Sequence, residues 1–246
     1  MPPLEVREVS VLFGGVRALS GVSVSAEAGA VTGLIGPNGA GKTTLFNVIS
    51  GLQPAREGRV LLDGVDVSGW SPARRARHGL GRTFQRLELF SVLTVRENLT
   101  VAADLRPADR RRARPSRVLV GELLERLGLT EVADERADTL PTGRARLVEL
   151  GRALACEPRV LLLDEPASGL DAHETAQLAH LLPAIAGGSL AVLLVEHDVH
   201  LVMSTCSRVH VLDFGRLLAV GTPAEIQADE RVLEAYLGTS AGRAER

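Results

Sequence analysis

The stretch of the sequence best suited to chemistry is a glycine-rich loop that consists of Gly36, Pro37, Asn38, Gly39, Ala40, Gly41, Lys42, Thr43 and Thr44. It lies between a predicted buried strand, Val31–Ile35, and a predicted helix of about Lys42–Ser50 that Gly51 ends. Glycines let backbone N–H groups close around phosphate oxygens, and the helix N-terminus adds positive partial charge. We therefore expect Lys42 to reach the β- and γ-phosphates of ATP and the Thr43 hydroxyl to bind Mg²⁺. A glycine-rich turn without a ligand is the alternative, and the strand–loop–helix order disfavours it.

Two acidic residues end a second apolar stretch. Val160–Leu163 is predicted to form a buried strand, and Asp164 and Glu165 follow it directly. Because ligands of α/β proteins bind at the carboxyl ends of parallel strands, these carboxylates are predicted to lie beside the glycine-rich loop. Asp164 is suited to hold Mg²⁺ through water, and Glu165 to polarise an attacking water molecule as general base. Strands often end in acids, so this interpretation depends on the loop upstream.

A histidine follows another predicted strand. His197 comes two residues after the stretch Leu190–Val195, in the sequence Val-Glu-His-Asp. An isolated histidine is most often a surface or capping residue. Here its strand is predicted to neighbour the strand that ends at Asp164, so we expect His197 to contact the γ-phosphate.

Composition restricts the class of protein. The chain has 246 residues and a formal net charge of −2, which fits one large α/β domain with no overall field that favours nucleic acid. Cys156 and Cys206 lack metal-ligand spacing and are expected to be reduced thiols. No apolar run approaches the ~18 residues that span a bilayer, and the first residues lack a signal-peptide pattern. We therefore expect a cytoplasmic protein that reaches a membrane only through a partner.

Among 28 lysine and arginine residues, Lys42 is the only lysine. A genome that favours arginine codons would explain the excess of arginine, but not the position of this lysine. Lysine is a compact, flexible point charge, whereas arginine is a planar fork. We therefore expect the glycine-rich loop to need the geometry of lysine.

Predicted strands and helices alternate along much of the chain. This order is typical of an α/β fold with a mostly parallel sheet and helices on both faces. Two short strands, Val6–Val11 and Val22–Ser25, indicate an antiparallel edge near the N-terminus. The prediction is a single domain over residues 1–238, followed by a frayed C-terminal tail over residues 239–246.

The middle of the chain, about residues 86–140, is predicted to be an inserted helical subdomain. Its helices are expected near Thr94–Ala103 and Leu119–Leu127. The arginine-rich stretch Arg106–Arg117 between them is predicted to be a solvated loop. Contact with an anionic membrane face is a weaker alternative, and nucleic-acid binding is weaker still because no aromatic residues alternate with the arginines.

The whole pattern resembles the ATP-binding cassette (ABC) ATPases, over nearly the full chain. The resemblance implies a P-loop NTPase cassette with an N-terminal antiparallel β subdomain and an inserted helical subdomain, which binds ATP and Mg²⁺. Arg82–Gln85 matches the family's Q-loop, so Gln85 is a further expected contact of ATP and Mg²⁺, and His197 matches the switch histidine. Phe13 stands where the family places an aromatic that stacks on adenine, with a core phenylalanine as the alternative. The family's D-loop is matched by Ser168, Gly169, Leu170 and Asp171.

Within that family the chain looks most like the ATPase subunits of branched-chain amino-acid importers. The matching stretches are GPNGAGKTTLFNVISG, GRTFQRLELFSVLTVRENL, LLVEHDVHLVMSTCSRVHVLD, GTPAEI and VLEAYLG. The ATPase of lipopolysaccharide export is similar in length and tail, but the RTFQ segment fits it less well. A soluble cassette ATPase of DNA repair or translation, and a regulatory cassette with weak ATPase activity, are further alternatives.

One segment departs from the family pattern. Where family members usually carry Leu-Ser-Gly-Gly-Gln, this chain has the signature segment Leu140, Pro141, Thr142, Gly143 and Arg144. Pro141 replaces a serine whose hydroxyl contacts the γ-phosphate of a partner's ATP, and proline has no N–H. Thr142 is expected to supply a hydroxyl and cap the next helix, Gly143 to keep an N–H for the phosphate, and Arg144 to add a charge. The resulting prediction is a half-site that is altered but still binds phosphate.

The resemblance also implies partners. Family members hold two ATP molecules head to tail between two cassettes, so a second ABC ATPase chain, identical or paralogous, is expected. Transmembrane permease subunits are expected to dock near Leu87–Val95, where Leu87, Leu89, Phe90 and Val92 either line a groove or pack within the helical subdomain. Nucleic acid is not an expected partner. The expected location is the cytoplasm, peripheral on the inner face of the cell membrane.

Overall fold

The computed structural model describes residues 1–106, 111–112 and 114–241, and two β-sheets organise them. The strands are β1 (Leu4–Phe13), β2 (Val16–Ala26), β3 (Val31–Ile35), β4 (Glu57–Leu62), β5 (Val65–Asp66), β6 (Leu80–Arg82), β7 (Val160–Asp164), β8 (Ala191–Val195), β9 (Arg208–Asp213) and β10 (Arg216–Gly221). The larger sheet has the order β10-β9-β3-β8-β7-β6 and is parallel except for the β9–β10 pair. The smaller sheet, β2-β1-β4-β5, is antiparallel. The predicted α/β fold with a mostly parallel core sheet and an antiparallel N-terminal part is confirmed.

Helices pack against the larger sheet and against one another. They are α1 (Lys42–Ser50), α2 (Pro72–Arg77), α3 (Val95–Asp104), α4 (Ser116–Arg126), α5 (Thr142–Ala155), α6 (Ala172–Ala186), α7 (Val199–Thr205), α8 (Pro223–Ala228) and α9 (Glu230–Ala241). Short 3-10 turns lie at Thr130–Val132 and Ala137–Thr139. The predicted bounds of α1 agree with the structure, since Gly51 adopts a left-handed conformation at its C-terminal end.

The core strands are apolar on both faces. β7 and β8 are buried at every position, because one hydrophobic cluster covers each face of the larger sheet. Alternate residues belong to different clusters: Leu161 lies with the apolar faces of α5 and α6, whereas Leu162 lies with α1 and the smaller sheet. Burial on both faces produces the continuous apolar runs from which these strands were predicted.

The N-terminal strands are longer than predicted. β1 and β2 have 10 and 11 residues, and their register shifts three times along the pairing. Glu8 has a φ of +49°, and Gly21 has one of +63°. Irregularities of this kind break the alternation of buried and exposed residues, so the alternating pattern indicates only part of each strand.

The arginine-rich stretch between α3 and α4 is not uniformly solvated. The Arg106 side chain is fully buried, donates to Glu157 at 2.5 Å and also donates to the carbonyl of Arg114. Arg114 donates to Glu157 at 3.1 Å, and Ser116 already begins α4. The prediction of a solvated loop is therefore wrong for Arg106, while residues 107–110 and 113 lie outside the described ranges.

The last helix passes the predicted start of the tail. α9 continues to Ala241, so the first three residues of the range 239–246 are helical, and the others lie outside the described residues. Within the ranges that the structure describes, no helix is both long and apolar enough to cross a membrane. Both cysteines are unpaired thiols, as predicted.

Candidate active site

Three chain segments meet at the carboxyl ends of β3, β7 and β8, which are neighbours in the larger sheet. β3 leads into the glycine-rich loop, β7 ends at Asp164, and His197 follows β8. The carboxyl ends of parallel strands form the usual ligand crevice of such sheets. We refer to Lys42, Gln85, Asp164, Glu165 and His197 together as the catalytic edge.

The glycine-rich loop needs glycine for two different reasons. A Cβ on Gly36 would lie 2.1 Å from the carbonyl oxygen of Leu212, so only glycine permits that approach to β9. A Cβ on Gly39 would meet nothing within 4 Å, but its φ of +82° lies in the left-handed region that side chains rarely adopt. The loop therefore packs closely against β9 at Gly36, whereas the space around Gly39 at its tip is open.

The only lysine of the chain is folded back onto this loop. Nζ of Lys42 donates to the carbonyl oxygen of Gly36 at 2.6 Å and to that of Pro37 at 3.0 Å, and the side chain is buried. Burial lowers the pKa of the Lys42 ammonium, and the carboxylates of Glu165 and Asp164 oppose that shift. The ammonium is thus held at the loop by neutral carbonyl groups, which a phosphate would replace as a stronger partner.

Glu165 is the centre of the catalytic edge. Its Oε2 accepts from Nε2 of Gln85 at 2.8 Å, and its Oε1 lies 2.6 Å from Nε2 of His197. The backbone of Glu165 has a φ of +50°, which is uncommon outside glycine and is found at functional sites. Three residues predicted from separate motifs are therefore in direct contact.

Asp164 has a partner that was not assigned from the sequence. Its Oδ2 lies 3.0 Å from Nη2 of Arg82, at the end of the neighbouring strand β6. Thr43, the other predicted metal ligand of the loop, is exposed at the start of α1. A hydroxyl and a carboxylate, with the amide of Gln85, form a set of hard oxygen donors that suits Mg²⁺.

Glu196 was also missed, although it precedes His197 directly. It is buried, and its carboxylate accepts the backbone N–H of Ala167 at 2.8 Å and that of His197 at 3.0 Å. Burial raises its pKa, and these hydrogen bonds oppose the shift. Glu196 thus connects the segment that carries His197 to Ala167, the residue before the predicted D-loop, and its sequence position gave no signal because Ala167 lies 29 residues away.

The Q-loop is attached to α5 by side chains on one face of that helix. Arg146 donates to the carbonyl oxygens of Phe84 and Gln85, at 3.2 and 2.6 Å. Glu149 accepts the N–H of Phe84 at 3.3 Å, pairs with Arg146, and has a pKa raised by burial. Because α5 begins within the signature segment, these hydrogen bonds join the backbone of Phe84 and Gln85 to the helix that starts at that segment.

The signature segment differs from expectation in its capping. α5 begins at Thr142, and the N-cap residue is Pro141, without a side-chain hydrogen bond to the helix. The prediction that Thr142 caps the helix is therefore wrong. Gly143 is packed so closely that an added Cβ would lie 2.0 Å from a carboxylate oxygen of Glu174. Of the predicted D-loop, Asp171 caps α6 in a reciprocal capping box with Glu174.

Apolar side chains predicted to bind ligands or partners are largely exposed. Phe13 is 48% exposed, so the alternative of a core phenylalanine is wrong. Leu87, Phe90 and Val92 are exposed, whereas Leu89 packs against the main core cluster. A groove of about 290 Å³, the apolar groove, is lined by Phe84, Phe90, Val101, Leu105, Arg152 and Cys156, among others.

Comparison with known proteins gives consistent results. A profile of the ABC transporter family matches residues 19–168, and one for branched-chain amino acid ATP-binding cassette transporters matches residues 216–242. The high-affinity branched-chain amino acid transport ATP-binding protein BraF of Pseudomonas aeruginosa is 40% identical, over 96% of this chain and 98% of that protein. The lipopolysaccharide export system ATP-binding protein LptB of Escherichia coli is 34% identical, over 97% of this chain and 98% of that protein.

Solved structures show the same fold. A crystal structure of the ADP conformation of an ATP-binding cassette of an ABC transporter matches with a TM-score of 0.85 and 31% identity, over 97% of this chain and 99% of that one. The family match over residues 19–168 includes the glycine-rich loop, Asp164 and Glu165. This chain belongs to the ATP-binding cassette family of transporter ATPases, which bind and hydrolyse ATP.

Proposed function

We propose that this chain powers an importer of branched-chain or related amino acids, at the inner face of the cell membrane. The observation that carries the proposal is the match of residues 216–242 to the branched-chain amino acid cassette profile, because that stretch is separate from the catalytic edge. The 40% identity to a branched-chain amino acid transport ATP-binding protein supports it.

ATP binding begins with an exchange of partners at Lys42. The ammonium leaves the carbonyl oxygens of Gly36 and Pro37 for the β- and γ-phosphates, which are charged acceptors. The N–H groups of the loop and of the first turn of α1 surround the phosphates. Phe13, which is half exposed, stacks on the adenine ring.

Hydrolysis requires that Glu165 release at least one of its partners. Both carboxylate oxygens are engaged, by Gln85 at 2.8 Å and by His197 at 2.6 Å. When the γ-phosphate takes His197 as its donor, Oε1 of Glu165 becomes available to accept a proton from water. Glu165 then acts as general base, and His197 stabilises the charge that develops on the phosphate.

Three side chains are suited to hold Mg²⁺ at the phosphates. They are Thr43, Gln85 and Asp164, which offer a hydroxyl, an amide and a carboxylate oxygen. Bound there, Mg²⁺ supplies positive charge that neutralises the β- and γ-phosphate oxygens. The chain itself fixes the donors, because Thr43 lies in the first turn of α1 and Asp164 ends the buried strand β7.

The second half of each ATP site comes from a second ABC ATPase chain. The start of α5 has no side-chain cap, so its N–H groups are available to the γ-phosphate of a partner's ATP. The permease subunits dock near Leu87–Val95, where Leu87, Phe90 and Val92 are 40, 43 and 70% exposed, and Phe90 extends this surface into the apolar groove. Exposed apolar side chains of this size are typical of a protein–protein contact.

An exporter ATPase is the second candidate, because an ATP-binding protein of lipopolysaccharide export is 34% identical over nearly the same length. The test is transport by vesicles that carry this chain with the transmembrane subunits of its transporter. We expect ATP-dependent uptake of radiolabelled leucine or valine in the presence of the cognate binding protein. The Lys42→Ala variant is the control and should transport nothing. Extraction of lipopolysaccharide without amino-acid uptake would favour the exporter instead.

A further inference from the structure

Arg82 makes a buried ion pair with the predicted magnesium ligand Asp164. It is the last residue of β6, whose neighbour β7 ends at Asp164. Nη2 of Arg82 donates to Oδ2 of Asp164 at 3.0 Å, and both side chains are only 10% exposed. In so little solvent the pair is weakly screened, so its geometry is held more firmly than that of a surface pair.

The other end of the guanidinium is bound to α1. Nη1 of Arg82 donates to Oδ1 of Asn47 at 2.9 Å and to Oγ of Ser50 at 2.8 Å. Both acceptors lie on the helix that begins with Lys42 and Thr43. A single side chain therefore connects the carboxylate at the end of β7 to the helix that carries the phosphate-binding residues.

Two aromatic rings limit the movement of the guanidinium. Its central carbon lies 5.8 Å from the ring centre of Phe46 and 5.0 Å from that of Phe84. A planar fork reaches Asp164 with one amino group and α1 with the other, which the single ammonium of lysine does not do in the same way. The site thus uses the shape of arginine as well as its charge.

We propose that Arg82 is a positioning residue that fixes the orientation of the Asp164 carboxylate for Mg²⁺. With Oδ2 engaged by Arg82, the carboxylate cannot rotate freely, and Oδ1 is the oxygen presented to the ion or to its bound water. Partners that orient a metal ligand in this way commonly control metal affinity. This inference rests on the proposed role of Asp164 and gives Arg82 a role that the Q-loop match does not include.

A purely electrostatic role for Arg82 predicts the opposite sign. If the guanidinium only neutralised Asp164, its removal would leave more negative charge at the site and attract Mg²⁺ more strongly. If it positions the carboxylate, its removal weakens Mg²⁺ binding. Replacement by lysine separates the two roles further, since lysine keeps the charge and loses the fork.

The experiment measures the affinity of the chain for a fluorescent ADP analogue, once with Mg²⁺ and once with EDTA. The affinity with Mg²⁺ divided by the affinity with EDTA is the magnesium-dependent gain. For Arg82→Met and Arg82→Lys we expect this gain to fall by about tenfold, with the affinity in EDTA unchanged. An unchanged gain in Arg82→Lys, or an increased gain in Arg82→Met, would overturn the positioning role. A wild-type chain that shows no gain would contradict the proposed magnesium site itself, which separates the two failures.

Two further sets of variants keep the test decisive. Asn47→Ala and Ser50→Ala remove the anchors on α1 and leave the pair with Asp164, so a smaller fall in the gain is expected. If the Arg82 variants do not fold, an unchanged gain in both anchor variants overturns the proposal. Arg86→Met is the matched control, because Arg86 is exposed in the same segment and should leave the gain at the wild-type value.

Discussion

The catalytic edge and the signature segment differ in where their polar groups find partners. At the catalytic edge, Lys42, Asp164 and Glu165 all have hydrogen-bond partners within the chain. At the signature segment, the N-cap residue of α5 is a proline without a side-chain bond, and Thr142 and Arg144 are exposed. Under the proposed function, catalysis at the first region requires that internal contacts be exchanged, whereas the second region completes the ATP site of another chain.

The largest effect is expected at Glu165, in the region with internal partners. Glu165→Gln keeps the size of the side chain and one acceptor oxygen but removes the proposed general base. ATP hydrolysis should fall by about 100- to 10,000-fold, the range that a general base contributes. ATP binding should remain, as measured by fluorescence of a labelled nucleotide. The exposed Glu27→Gln is a matched control, and equal rates in wild type and Glu165→Gln would contradict the assignment of the base.

A smaller effect is expected at Glu196, whose carboxylate accepts the backbone N–H of His197 at the catalytic edge. Replacement by alanine leaves the N–H groups of Ala167 and His197 without their acceptor, and because both bonds are only partly buried the cost should be at the lower end of about 1–3 kcal/mol for each group. Urea denaturation should therefore show a lower free energy of unfolding, and hydrolysis should slow because His197 is less well fixed. A variant with slower hydrolysis and unchanged stability would show that Glu196 does more than hold the backbone.

Stability should also depend on pH through Glu196. Because its pKa is raised in the folded chain, the protonated form is favoured there, and that stabilising contribution is lost as pH rises through the folded-state pKa. Wild type should therefore lose more stability than Glu196→Gln, which cannot ionise, as pH rises from 4, below the ordinary glutamate pKa of 4.5, to 7. Urea titrations of both proteins at the two pH values measure this difference, and parallel losses would contradict it.

The signature segment should respond only when a partner is present. Pro141→Ser combined with Thr142→Gly restores a hydroxyl and an N–H for the partner's γ-phosphate. A hydrogen bond to a charged group contributes about 1.5–3 kcal/mol, so hydrolysis should rise by about tenfold or more at concentrations where the chain dimerises. Dilution should remove the increase. No change in rate at any concentration would mean that this departure from the family pattern has no catalytic effect.

Sequence patterns predicted the elements that carry the catalytic edge, but not the charged residues that hold those elements in place. β3, α1 and β7 follow from local signals, because Gly36 and Gly51 interrupt continuous apolar or helical patterns. Arg106, Arg82 and Glu196 were misjudged or missed because their partners lie 51, 82 and 29 residues away along the chain. Side-chain type and spacing indicate where a reaction occurs, but long-range burial decides which charged residues hold the reacting groups in place.

The smallest effect is expected at the apolar groove, which, like the signature segment, is proposed to face a partner. Cys156 lines the groove, and burial raises the pKa of its thiol, whereas burial raises the pKa of Cys206 to about 12. Since the thiolate is the reactive form, alkylation of Cys156 should be slow at pH 7, faster at pH 9, and at both values faster than that of Cys206. Mass spectrometry after timed labelling measures both rates in one sample, with Cys206 as the internal control.

A permease subunit seated in the groove should slow labelling of Cys156 several-fold without affecting ATP binding, because the groove and the glycine-rich loop are formed by different segments. Equal labelling of Cys156 with and without the permease would exclude the groove as the docking surface.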